Sequence, residues 1–239
     1  MAAYSTSAKA SWLMCLGLLL LALLVPQHAE AHGAMLYPPP RGGVGTKSFN
    51  WRIHTFIDYK GFKFPCGGYN KPGPVTNMKA GQVIPVRFWT AGMNDKRDEK
   101  RLPTKKISQA RHGGGLCEFS LSYDGGKSYH VIGSYTKTCP DIYYEWKVRI
   151  PKNVPSCTET GRCLFAFSWT ASLVPQFYHN CADVRIQGVK GGKLPSKMMQ
   201  KYDFKAKGVR RGVTFPGDGK SHERGSGPNK DEERRNLRG

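Results

Sequence analysis

Apolar residues recur at every second position in several stretches between residues 82 and 188. "QVIPVRFW" puts Ile84, Val86 and Phe88 on one face, "CEFSLSY" does so with Cys117, Phe119, Leu121 and Tyr123, and "EWKVRI" with Trp146, Val148 and Ile150. A period of two is the signature of a half-buried strand, because successive side chains leave a strand on opposite faces. "YDGGKSY" at 123–129 joins two such runs through paired glycines and reads as a hairpin turn. "CLFAFSWTA" (163–171) and "CADVRIQG" (181–188) supply two more strands, and no long 3.6-residue apolar period occurs. The pattern predicts an all-β fold, an immunoglobulin-like antiparallel β-sandwich with long loops.

Three regions do not follow this rhythm. The first is a lone Lys9, the apolar "WLMCLGLLLLALLV" (Trp12–Val25), then Pro26 and Ala29-Glu30-Ala31, the three parts of a secretory signal. A membrane-spanning helix needs about 20 apolar residues, more than this run offers. Residues 1–31 are therefore expected to be removed, leaving a secreted, extracellular chain that starts at His32. The second is Gly33–Gly81, with Pro38-Pro39-Pro40, many glycines and scattered Tyr37, Trp51, Tyr59, Phe62, Phe64 and Tyr69. It reads as a long loop whose aromatics either cover a sheet or serve a site. The third begins near Gly188, where Gly, Lys and Arg dominate, so that 32–188 is expected to be the folded domain and 189–239 a basic, disordered tail.

Removal of 1–31 takes away Cys15 and leaves six cysteines, Cys66, Cys117, Cys139, Cys157, Cys163 and Cys181. An even count in a secreted chain reads as disulfides, in a connectivity that counting cannot choose. No Cys-x-x-Cys pair supports a zinc site. The chain carries a net charge of +20, and both parts are basic: residues 190–239 hold 14 Lys/Arg against 6 Asp/Glu, residues 32–189 hold 22 against 10. Such a balance suits an acidic polysaccharide, an anionic cell surface or nucleic acid, and charge alone does not choose among them.

A mature N-terminal histidine offers two nitrogen donors, its α-amine and its imidazole. The amine has an ordinary pKa near 8, so a metal displaces its proton more easily than it would a lysine's. One further imidazole gives three nitrogens in a plane, an arrangement that suits Cu(II). Candidates for that imidazole are His54, His112, His130, His179 and His222. His222 is in the tail and His130 within a strand-like run, whereas His112 precedes three glycines at the mouth of a strand.

"HGAMLYPPPRGG" after the signal, "RHGGGLCEFSLSYDGGKSYHVI", "TCP" and "PQFYHNCADVRI" together resemble the fungal and fungal-like lytic polysaccharide monooxygenases, secreted copper enzymes with a histidine brace. The likeness spans most of 32–188, in the expected order. It implies that His32 and His112 hold one copper per domain, with Tyr178 at the axial position and Gln176 hydrogen-bonding oxygen species. It also implies disulfides between Cys66 and Cys181, Cys117 and Cys139, and Cys157 and Cys163. Strand periodicity independently puts Gln176 and Tyr178 on one face and Phe177 and His179 on the other.

The function so implied is oxidative cleavage of glycosidic chains (cellulose, chitin or pectic homogalacturonan) with O2 or H2O2 and an external electron donor. The partners are a polysaccharide substrate and that donor, with no nucleic acid and no membrane, and the chain acts as a monomer. Paired carboxylates of glycosidase character are not evident. Segment 96–111, "KRDEKRLPTKKISQAR", has seven Lys/Arg against two acids and leads into His112, which favours a polyanionic substrate. The competing classes are a non-catalytic polysaccharide-binding module and a secreted copper-binding protein on the same fold.

Overall fold

The computed structural model describes residues 33–57, 61–90, 114–136, 139, 146–172, 176–200 and 230–238. All lie in the unit Ala31–Gly239; the unit Met1–Glu30 is outside them. Two sheets face each other. The smaller has the order β1 (Gly33–Tyr37), β3 (Val83–Thr90), β6 (Trp146–Arg149); the larger runs β2 (Thr76–Lys79), β8 (Phe177–Gln187), β7 (Leu164–Ala171), β4 (Gly115–Ser122), β5 (His130–Tyr135). Among the described residues no helix is long and apolar enough to cross a membrane.

The alternating residues meet between the sheets. Ile84, Val86, Phe88, Trp146, Val148 and Ile150 are buried, and Phe88 packs edge-to-face on Phe167 with centroids 4.6 Å apart. Phe119 contributes from β4, against Trp146 at 5.8 Å and Phe167 at 5.6 Å. This core of interlocked aromatic rings makes the predicted sandwich, since each ring removes a large apolar area from water.

The fold departs from the expectation in three places. The β2–β8 pairing is parallel, Thr76 beside Val184 and Lys79 beside Gln187, because the long loop carries the chain back across the domain before β2 forms. Two strands, β1 and β2, lie inside the region read as loop; "GAMLY" has no alternation because Gly33, Ala34 and Met35 are all buried. The chain also stays on the sheet beyond residue 188. Val131 N–H bonds the Lys197 carbonyl at 2.8 Å, Met199 N–H bonds that of Tyr129 at 2.9 Å, and Met199 is buried. Lys197 reaches the buried Glu118 at 3.0 Å, and Glu118 accepts the Gln200 amide at 2.9 Å. Part of the region read as disordered is helical: α1 (Lys230–Arg238) bonds the sheets through Asn236 to Ser134 and through the Leu237 carbonyl to Arg149.

The loop layer covers the outer face of the larger sheet, where Ile57, Cys66 and Phe64 pack with Tyr129, Leu164, Phe177 and Cys181. Its strongest fastening is buried. Arg41 donates from two nitrogens to Asp183, at 2.8 and 2.7 Å, and Asp183 also accepts Gly73 N–H at 2.7 Å. Disulfides join Cys66 to Cys181, Cys117 to Cys139 and Cys157 to Cys163, with Cα separations of 5.0, 5.8 and 5.8 Å.

Candidate active site

Tyr178 is the second residue of β8, and the β7–β8 register sets it opposite Trp169. Its ring stacks on that indole, and its hydroxyl donates to Gln176 Oε1 at 2.5 Å. The tyrosine is 1 % exposed and Gln176 half-buried, so the phenol is fixed by packing and by its bond to Gln176 at the strand's end. Phe56 adds an edge-to-face contact at 6.3 Å.

Two chain segments arrive at this strand end. Trp169 Nε1 donates to the Gly114 carbonyl at 3.3 Å, and Ser172 N–H to the same oxygen at 3.0 Å. The neighbouring Gly115 has φ +144° and lies so close to β7 that a Cβ would meet the Thr170 carbonyl at 2.0 Å. Its lack of a side chain therefore seats the start of β4 against β7, a reason for glycine here other than access to a ligand. The second segment is β1. Met35 N–H donates to Asn180 Oδ1 at 3.0 Å while Asn180 Nδ2 donates to the Ile53 carbonyl at 3.3 Å, so one side chain ties β1 and a 3-10 turn (Trp51–His54) to β8. Pro40 bridges Ala182 in antiparallel sense, a further tie of this segment to β8.

His32 and His112 lie outside the described residues, as do Tyr59, His222 and the basic segment 96–111. His32 adjoins Gly33, and His112 is two residues before Gly114. The remaining histidines have other engagements. His130 Nδ1 donates to the Pro195 carbonyl at 2.7 Å. His54 is buried in the 3-10 turn. His179, on the face opposite Tyr178, accepts Cys66 N–H at Nδ1 (2.9 Å) and packs edge-on against Tyr129 at 4.9 Å. Cys66, His179 and Cys181 lie close enough to suggest a metal cluster, but the two sulfurs are bonded to each other and have no thiolate to offer.

Two of the loop aromatics, Phe64 and Tyr69, pack against the fold. Phe64 covers the outer core, and the Tyr69 ring lies where a Gly42 side chain would stand, 2.5 Å from a Cβ there. Burial pushes the Tyr69 phenol up to about 12, against a downward pull from Arg52. Trp169 and Asn180 were not singled out by the sequence. A signal existed for Asn180, which is two residues past Tyr178 and so on its face.

No family model matches the chain. Over 198 residues it is 31 % identical to the AA11 family lytic polysaccharide monooxygenase A of Aspergillus fumigatus, covering 79 % of each protein. The chain belongs to the AA11 family of lytic polysaccharide monooxygenases. It is 24 % identical over 218 residues to the AA11 family lytic polysaccharide monooxygenase B of the same species, spanning about half of that protein (46 %). Among solved structures it aligns with the extended catalytic domain of H. jecorina LPMO9A at a TM-score of 0.40 and 13 % identity, over 72 % of this chain and 78 % of that one.

Membership makes this lytic polysaccharide monooxygenase an enzyme of the copper monooxygenase type. The described part of the site is compatible with such a metal: a buried phenol is held rigidly by Trp169 and Gln176, and Trp169 also holds the Gly114 carbonyl, two residues after His112. Histidine nitrogens together with a phenol oxygen would be a donor set that copper accepts.

Proposed function

We propose that the protein is a secreted enzyme that oxidatively cleaves a polysaccharide, with one copper per domain, O2 or H2O2 as oxidant and an external electron donor. His32, through its amine and imidazole, and His112, through its imidazole, would hold the metal, with Tyr178 and Gln176 next to it. Copper held there supplies the one-electron and oxygen chemistry that no side chain can. Residues of this chain do the rest. Trp169 fixes the tilt of the phenol, and Asn180 holds β1, whose start carries the ligand histidine. The Gln176 amide oxygen accepts the phenol O–H and fixes its direction. What carries the reading is the 31 % identity over 79 % of both chains, supported by the fixed Tyr178–Gln176 pair.

The test uses the mature chain starting at His32, loaded with copper and given ascorbate, on cellulose, chitin and pectic homogalacturonan. Oxidised oligosaccharides from at least one, with a Cu(II) spin-resonance spectrum of nitrogen ligation, are expected. Tight copper binding with no oxidised product across the panel would replace this reading with a copper-binding protein.

A further inference from the structure

The loop layer leaves one part of the larger sheet's outer face open, the C-terminal end of β8. Arg185 and Gln187 project there, exposed, and the parallel register sets Asn77 beside Arg185 and Lys79 beside Gln187. Gln82 closes the end, its Oε1 accepting Lys79 N–H at 2.9 Å, which leaves its NH2 to face outward. With Met78 these residues line a groove of about 450 Å³, none of them acidic. Asp183, the nearest carboxylate on that face of β8, is taken by Arg41 and by Gly73 N–H, so it does not neutralise the groove.

We infer that this groove is a second polysaccharide-binding site, selective for chains that carry carboxylates. Lys79 and Arg185 stand on a diagonal of the two strands, about 8 Å apart at their Cβ atoms. Two cations at that spacing can each meet a carboxylate, Arg185 in bidentate fashion. The amides of Asn77, Gln82 and Gln187 offer the donors and acceptors that sugar hydroxyls need. Arg185 is seven residues from Tyr178 along β8, about 23 Å, and on the opposite face. A chain bound in the groove therefore leaves Tyr178 uncovered and raises the concentration of polymer near it. The inference rests on the polysaccharide-oxidising reading for its biological use, not for the binding itself.

Binding of the copper-loaded mature chain to polygalacturonate and to its fully methyl-esterified form decides the matter. Lys79→Gln/Arg185→Gln should weaken binding to the acidic polymer about tenfold, more at low salt than at high, with binding to the ester unchanged and the melting temperature preserved. Lys47→Gln/Lys63→Gln removes the same charge elsewhere and should cost less than threefold. Equal losses in the two double variants, or none in either, would overturn the groove. If ascorbate-driven oxidation persists in that case, the enzymatic reading stands alone; if the groove variant loses affinity while the wild type oxidises nothing, the groove stands alone.

Discussion

The phenol ring of Tyr178 lies almost parallel to the indole of Trp169, centroids 4.4 Å apart and planes 16° from parallel. The stack is also a link, because the indole N–H holds the Gly114 carbonyl. Tyr178→Phe keeps the ring and removes the hydroxyl, so urea unfolding should show a loss of about 1 kcal/mol. Tyr178→Ala opens a hole beside Trp169 and should lose about 3–5 kcal/mol. In the copper-loaded protein, Tyr178→Phe should shift the Cu(II) spectrum without abolishing binding. An unchanged spectrum would remove Tyr178 from the metal's surroundings.

Asn180 serves two strangers in sequence, Met35 and the carbonyl of Ile53. Asn180→Leu fills similar space but leaves a buried N–H and a buried C=O without partners, at about 1–3 kcal/mol for each. Denaturant titration measures that loss. Copper affinity should fall with it, since β1 begins one residue after His32; equal affinity in the folded variant would show that Asn180 has no part in placing that end.

The Arg41–Asp183 pair is out of water on both sides, at 6 % and 1 % exposure. Asp183→Asn leaves a guanidinium buried beside an amide and should cost about 3–5 kcal/mol, with little dependence on salt. Arg41→Met/Asp183→Leu removes both charges and should be less damaging than the single change. Additive losses in the double variant would mean that the two residues act independently.

The sandwich was legible because its core obeys a period of two: Ile84, Val86, Phe88, Trp146 and Val148 could be placed on one face before any contact was known. β1 was not, since all of Gly33, Ala34 and Met35 are buried and alternation vanishes where both faces are covered. The segment through Met199 was read as tail because its polar composition hides a few decisive bonds to Tyr129, Val131 and Glu118. Tyr178 and Gln176 were found through resemblance. Trp169 and Asn180, which position that region, become visible only with the β7–β8 register and the approach of β1.

The hairpin after β4 turns on Asp124, which accepts the hydroxyls of Ser122 (2.8 Å) and Ser128 (2.5 Å) and the amides of Lys127 and Ser128, each at 3.0 Å. Partial burial raises its pKa, and these hydrogen bonds outweigh that effect, led by those from Ser128, leaving it at about 2 rather than 3.8. A carboxylate with a lowered folded pKa stabilises fully above its unfolded value and loses that contribution as pH falls. The window is thus pH 4 to 2. Melting temperatures of the wild type should fall across it more steeply than those of Asp124→Asn; parallel slopes would contradict the role given to this residue.

The most direct challenge to the proposed copper ligands is a single residue added ahead of His32. Cleavage after Ala31 would free the α-amine, and an extra glycine turns that amine into a peptide nitrogen with no easily displaced proton. The imidazole remains, so the change isolates one donor of three. Cu(II) affinity by competition titration should drop by at least about 100-fold relative to the chain starting at His32, a loss comparable to disrupting a well-supported metal site. Mutation of His112 to Ala in the unextended chain should lower affinity through a different donor, and the two changes together should lower it further than either alone. An extended chain that binds Cu(II) as tightly as the native one and still oxidises polysaccharide would rule out the N-terminal amine as a ligand, whatever the fate of Tyr178.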